Sequence, residues 1–374
     1  MTDLTRSQFL KLSAYLTGGT ALGGSAFLAG CGPGGDDETG GAPSKPAAET
    51  GDLEVFTWRG FEDEKLWKPY ATKYPDKPPK FPAFIDSDDQ ALAKVRSGLD
   101  PDVAQPSVGH AQDFVNIDMI QPWDPKLIAG YDLLRPELLE YGQIDGKQYS
   151  LPTDFGFHSP MYRADLVEPK EDSWGVIFDD RFKGKITWYD NAGDFLMMTA
   201  LFLGIEDPLN MSDAELADVK KFLIEKKKLV RNFSSSPTDL SADFQQGNVV
   251  AASTLSYVFV ELVGKGLDVV YMQPKEGRVA WSDGFLLLKD TDQYNHAHDY
   301  VDAWLSPESA QYELEVFGLI PLNSDVDLGK LDPKVVKGLG LGDASASQPP
   351  KAHFLGFIER RSEYGKTWDE IKAA

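Results

Sequence analysis

The alternation of apolar and polar positions gives the first reading of the chain. "LEVFTW" (53–58) reads as a strand, and Glu62 to Tyr74 as a helix with Leu66, Trp67 and Tyr70 on one face. An extended "PKFPAFI" follows. A helix then opens at Ser87, where Ser87 and Gln90 have capping-box spacing and Ala91, Leu92 and Val95 form a stripe. Ser212 and Glu215 repeat that spacing before "LADVKKFLIEKKKL". "LDVVYMQP" is a further strand, and Ser306 with Pro307 opens a helix through "ESAQYELEVFG". Such alternation predicts an α/β architecture with mainly parallel sheets. Ligands collect at the carboxyl ends of strands in such sheets, and Trp58 ends the first one.

One run departs from the pattern. "RVAWSDGFLLLK" (278–289) suits a buried strand, yet Asp283 lies within it, and an unpaired buried carboxylate is costly. As a strand, the run puts Trp281 and Asp283 on the same face. An indole beside a carboxylate suits an organic cation, which can lie on the ring and pair with the acid.

Composition narrows the choice of partner. A chain of 374 residues has room for two domains or for one domain split into lobes, and 42% hydrophobic residues is ordinary for a globular protein. The net charge of -22 argues against nucleic acid and favours cationic partners.

The only cysteine, Cys31, excludes an internal disulfide and a cysteine-based metal site. Arg6 and Lys11 precede the small, apolar run that ends at Cys31, so residues 1–30 read as a signal peptide. Leu28-Ala29-Gly30-Cys31 resembles a bacterial lipobox, which makes Cys31 the lipidation site. "TRSQFLK" resembles a twin-arginine signal with Ser7 in place of the second arginine. From Gly32 to Gly51 the chain has no large apolar residue and reads as a flexible tether, with the folded part expected from about Asp52. Together these features predict a domain held at the outer face of a bacterial membrane.

Catalytic motifs are missing. There is no P-loop, no G-x-S-x-G elbow and no H-E-x-x-H pair. His296 and His298, two apart in the helical "YNHAHDYVDAW", fall on different faces and are expected to be solvated, and no metal or cofactor is expected. Aromatic residues beside acids do recur. Trp58 and Phe61 precede Glu62 and Asp63, Trp188 and Tyr189 precede Asp190 and Asp194, and Trp281 precedes Asp283.

From about Leu53 onward, "FTW", "QPSVGH", "GKQYSLPTDFG", "FKGKITWYDNAGDF", "GLDVVYMQPKEGRVAWSDGF" and "FGLIPLN" occur in the order found in the bacterial spermidine/putrescine-binding proteins, which the chain resembles over nearly its whole mature length. "PKEGRVAWSD" is the most specific piece. The resemblance implies a type II periplasmic binding fold, in which two α/β lobes close over a ligand. Lobe one would hold residues 52–156 and 282–326, and lobe two residues 157–281 and 327–374. It also implies a polyamine ligand delivered to the permease subunits of an ABC transporter by a monomeric receptor. Trp58 and Trp281 would flank the ligand chain, Asp283 would hold an amine, and Asn191 and Asp194 would meet the other end.

Several positions depart from the family. Phe61 stands where a tyrosine is usual, Asn191 replaces an aspartate, Leu319 and Ile320 lie where a tyrosine is expected, and Arg59 follows Trp58. His110, Asp154 and Glu62 are candidates to supply the missing polar contacts. A zwitterion, a quaternary amine or an amine-bearing anion is the alternative ligand. The alternative class is a hydrolase using Asp190, Asp194 and Asp283.

Overall fold

The computed structural model describes residues 49–342 and 352–374. The signal peptide, Cys31 and nearly all of the tether lie outside the described residues. The first of those described already holds the fold. Glu49 accepts hydrogen bonds from the Asn295 and His296 amides (2.6 and 3.0 Å), so its carboxylate caps the helix Tyr294–Trp304. Ordered contact thus begins slightly before Asp52, because an acid at a helix N-terminus satisfies free N–H groups.

The first sheet forms around β1 (Val55–Trp58). β1 pairs in parallel with β2 (Phe84–Ile85) and β3 (Val103–Ala104), and β4 (Ile120–Gln121) lies at the edge. Ser87 caps the helix Asp88–Arg96 as its spacing predicts. The stretch Glu62–Tyr74 is a single turn, Glu64–Leu66, followed by the helix Lys68–Lys73 rather than one continuous helix. Pro69 suits the start of the second piece, since its ring is tolerated in a first turn. Leu66, Trp67 and Tyr70 are buried all the same.

After a small hairpin of β5 (Gln143–Ile144) and β6 (Lys147–Gln148), β7 (Ser150–Pro152) leads through Thr153 into the long β8 (Asp154–Arg163) and the second sheet. There β9 (Ile186–Tyr189) pairs in parallel with β10 (Val230–Ser234) and β11 (Ala251–Leu255), while β12 (Val269–Tyr271) joins β8. The chain returns along β13 (Arg278–Trp281), breaks at Ser282 and Asp283, and continues as β14 (Gly284–Leu288) in the first sheet. β15 (Ile320–Pro321) and β16 (Ala352–Phe354) complete the second sheet.

Both sheets are mixed rather than mainly parallel. β8 pairs antiparallel with β11, β12, β13 and β15, and β14 pairs antiparallel with β3, β4 and β7. The cause is topological: these strands carry the chain between sheets, and the outgoing and returning crossings lie side by side in opposite directions. Trp281 opposes Gly156 on one side of the crossing and Gly284 opposes Pro152 on the other. Ser282 Oγ donates to the Asp154 carbonyl (2.5 Å), and the Thr153 amide donates to the Asp283 carbonyl (2.9 Å). The molecule is therefore two α/β lobes joined by crossing strands.

A fully buried arginine secures the returning strand. Arg278 donates to the carbonyls of Met272 (2.8 Å) and Gly338 (2.6 Å) and lies over Phe157 and Tyr271. His296 and His298 are buried rather than solvated. The His298 ring accepts the Asp124 amide at Nε2 (3.1 Å) and bonds the Tyr294 carbonyl through Nδ1 (2.7 Å). His296 packs on Tyr74 with centroids 4.5 Å apart. Imidazoles with satisfied nitrogens or aromatic neighbours are stable in a core.

Candidate ligand site at the lobe crossing

The break between β13 and β14 creates the site. Trp281 is the last residue of a second-sheet strand, whereas Asp283 belongs to the crossing itself, bridged to Ser107 of the first lobe. The alternation of β8 builds the neighbouring surface. Phe155 and Phe157 point into the apolar core, which places Asp154, Gly156 and His158 on the opposite face. The Trp281 indole lies over Gly156. A Cβ there would meet its Cζ2 at 2.5 Å, so the strand needs glycine at this point. We expect Gly156→Ala to displace the indole, lower stability by about 1–3 kcal/mol and weaken ligand binding. Denaturant unfolding and titration calorimetry check both effects.

Asp283 is 4% exposed. Burial holds its carboxyl well above the usual carboxylate range, and the charges of Asp154 and Asp88 push the same way. The Ser107 hydroxyl, 3.3 Å from Oδ1, and the Trp58 indole pull it back. The Trp58 N–H favours the ionised form without closing a hydrogen bond, and both Trp58 Nε1 and Trp281 Nε1 are buried without a partner. Tyr257, just beyond the end of β11, also senses the Asp283 charge.

Behind Asp283 lies a second acidic feature. Asp154 and Glu313, on the helix Pro307–Phe317, are both fully buried. Burial raises Asp154 to about 7 despite bonds from the Thr153 hydroxyl (2.6 Å) and Glu313. Glu313 is pushed well above its ordinary range by burial and by the Asp154 charge. Asp154 Oδ1 and Glu313 Oε1 are buried without a hydrogen-bond partner. Two such carboxyls cannot both ionise without a cation.

The far end of the site is built differently. Asp194, in the first turn of the helix Ala192–Phe202, has Oδ2 3.2 Å from His158 Nδ1, and both side chains are buried. Neither His158 nitrogen nor Asp194 Oδ1 has a hydrogen-bond partner. Tyr189 packs on His158 with centroids 4.4 Å apart and senses Asp194, Asp88 and Asp283, so it lies between the two ends.

The structure thus brings Trp58, Trp281, Asp283, Asp154 and Asp194 to one region and places other expected residues elsewhere. Phe61 is in the first lobe's core, with centroids 5.4 Å from Trp304 and 5.3 Å from Phe317, because a ring without a hydroxyl gains most from full burial. Asn191 caps the helix Ala192–Phe202, its side-chain oxygen accepting the Asp194 amide (3.2 Å). His110 sits among Asp88, Asp113 and Arg361. Glu62 accepts the Gly60 amide (2.5 Å), and Leu319 and Ile320 are core residues. Arg59 is exposed, its guanidinium 4.7 Å above the Phe84 ring. Asp190 is engaged by Trp368 Nε1 (2.7 Å) and Lys372 Nζ (3.0 Å).

Ser107, His158, Tyr257 and Glu313 escaped the sequence reading. Tyr257 alone had a signal, its position after a strand end. Among the described residues, no cluster of three or more histidines, cysteines and acids is placed to hold a metal ion, and no helix is long and apolar enough to cross a membrane.

A hinge crossing with an acid and two indoles defines a ligand-binding protein of two lobes. The family of bacterial extracellular solute-binding proteins matches residues 83–338, more than half of the chain, and the chain belongs to that family of extracytoplasmic receptors. It is similar to the putrescine/agmatine-binding protein of Pseudomonas aeruginosa, at 24% identity over 60% of this chain and 66% of that one. It is likewise similar to the spermidine/putrescine-binding periplasmic protein 1 of Haemophilus influenzae, at 22% identity over 88% and 91%. Among solved structures, a putative spermidine/putrescine ABC transporter protein from Listeria monocytogenes superposes with a TM-score of 0.71 at 20% identity, covering 86% of this chain and 99% of that one. The fold is that of a type II periplasmic binding protein.

Proposed function

We propose that the protein is the receptor of a polyamine-type ABC importer, binding a spermidine- or putrescine-like amine where the lobes meet and presenting it to the permease subunits. It would act as a monomer held to a bacterial membrane through lipid on Cys31. Its lobes would divide at the two crossings, with 52–156 and 282–326 in one and 157–281 and 327–374 in the other. The observation that carries this reading is Asp283, a buried carboxyl beside the Trp58 indole, whose charged neighbours are themselves acids. An entering ammonium supplies the missing counter-charge, and each desolvated cation–π contact adds on the order of 0.5–2 kcal/mol. Binding of polyamines by the relatives supports the same ligand class.

The His158–Asp194 pair favours a second reading, in which the ligand has one ammonium and a polar, uncharged far end. The His158 ring already lies 3.2 Å from one Asp194 oxygen, so a second ammonium would have to share that carboxylate with an imidazole.

A thermal-shift screen separates the two. A ligand that binds only the folded chain stabilises it by about 2.7 kcal/mol at 100 times its dissociation constant. Stabilisation by putrescine and spermidine but not by 4-aminobutanol supports the first reading. The reverse supports the second, and no shift with any amine refutes both.

A further inference from the structure

We propose that Arg361 is a positioning residue for ligand retention: it crosses from the second lobe to an acidic cluster on the first and holds the lobes closed around an occupied Asp283. The inference rests on Asp283 taking the ligand amine.

Arg361 opens the helix Arg361–Ala373, which belongs firmly to the second lobe. Trp368 of that helix packs on Phe195, with centroids 5.1 Å apart, inside that lobe's core. Its first residue reaches away from the lobe. Arg361 Nη1 lies 3.6 Å from Asp113 Oδ2 and 3.8 Å from Asp89 Oδ1, and it touches the His110 ring. All three partners belong to the first lobe. A cation in a first helical turn is opposed by the helix dipole, so helix stability does not explain an arginine here. The contact across the cleft does.

The backbones meet at the same seam. A Cβ on Gly109 would lie 3.0 Å from the carbonyl of Gly356, so a larger residue at Gly109 would crowd this approach between the lobes.

A chain of polar contacts links the seam to the ligand carboxylate. His110 Nδ1 is 3.5 Å from Asp113, and Nε2 is 3.6 Å from Asp88 Oδ2. Asp88 accepts the Ser107 amide (2.7 Å) and hydroxyl (3.0 Å), and the same hydroxyl lies 3.3 Å from Asp283 Oδ1. A hydroxyl has one proton, so Ser107 donates either to Asp88 or to Asp283, not to both at once. An ammonium bound at Asp283 supplies that carboxylate's donor and leaves the hydroxyl to Asp88. Asp88 is then fixed against His110, beside which Arg361 docks. Occupancy and closure thereby favour each other, and by linkage the effect is reciprocal.

The test compares the full chain with Arg361→Met and Arg361→Lys. Stopped-flow tryptophan fluorescence with spermidine should show dissociation about tenfold faster in Arg361→Met, with association nearly unchanged, because retention governs the effect. Arg361→Lys, which keeps the charge, should recover most of the loss. A merely structural role would lower thermal stability without this split between rates. Spin labels, one on each lobe of the ligand-free chain, should report longer distances in Arg361→Met. Unchanged dissociation overturns the proposal while leaving the polyamine reading intact. If spermidine fails to bind even the unsubstituted chain, the polyamine reading falls and the spin-label distances decide alone: identical distributions overturn the role of Arg361.

Discussion

Replacing Asp283 with asparagine is expected to lower affinity for putrescine or spermidine at least tenfold while leaving the fold intact. The neutral amide retains the shape and the contact with Ser107 but loses the charge. A charge-assisted hydrogen bond contributes about 1.5–3 kcal/mol, and every 1.4 kcal/mol is tenfold in affinity. The pKa shift adds a second signature. Because burial and the neighbouring acids hold Asp283 well above its ordinary range, binding of an ammonium there is expected to release a proton. Calorimetry in buffers of different ionisation enthalpy should show this release, and Asp283→Asn should abolish that part of it. Unchanged affinity in the variant would remove Asp283 from the site.

The second large effect concerns stability. Asp154 titrates at about 7 in the folded chain against an ordinary value of 3.8, so the folded state holds its proton more tightly than the unfolded state does. A group of this kind contributes stability that is fully present below about pH 4 and is lost as pH rises through 7. At 1.36 kcal/mol per pKa unit the loss is on the order of 4 kcal/mol. Other carboxylates, such as Asp63 and Asp179, are held below their ordinary range and act in the opposite sense, so the informative quantity is a difference. Asp154→Asn, measured by urea unfolding at pH 4 and pH 8, should lie close to the parent at the lower pH and exceed it at the higher. Equal stabilities at pH 8 would mean that Asp154 is not held above its ordinary range in the folded chain. The acids at the crossing are thus expected to lower the stability of the empty protein at neutral pH.

Much of the architecture was legible along the chain. Ser87, Ser212 and Ser306 begin helices where their spacing says they should, because capping is a local matter between a side chain and amides a few residues on. The apolar stripe of Leu66, Trp67 and Tyr70 is buried even though the continuous helix expected there divides near Pro69. The site was legible in part. Trp281 and Asp283 share the crossing, but not as neighbours on one strand face. Strand alternation holds only while one sheet continues, and here the chain changes sheets between them. Phe61 and His110 show the limit of matching residue types to a pattern, since the same side chain serves equally well in a core or at a seam.

The sequence by itself determined the alternation of strands and helices, their caps, the anionic character of the chain and the indoles and carboxylates available to a ligand. These follow from local geometry and composition. Tertiary structure alone decided which acids are buried together and which meet a basic side chain. Asp154 meets Glu313, 159 positions away, at a separation their Thr153 and Ser282 neighbours do not announce. Asp194 is claimed by His158, and Arg361 reaches Asp89 and Asp113 only when the two lobes come together. Electrostatic energy depends on distance and burial in three dimensions, and neither is a property of spacing along the chain.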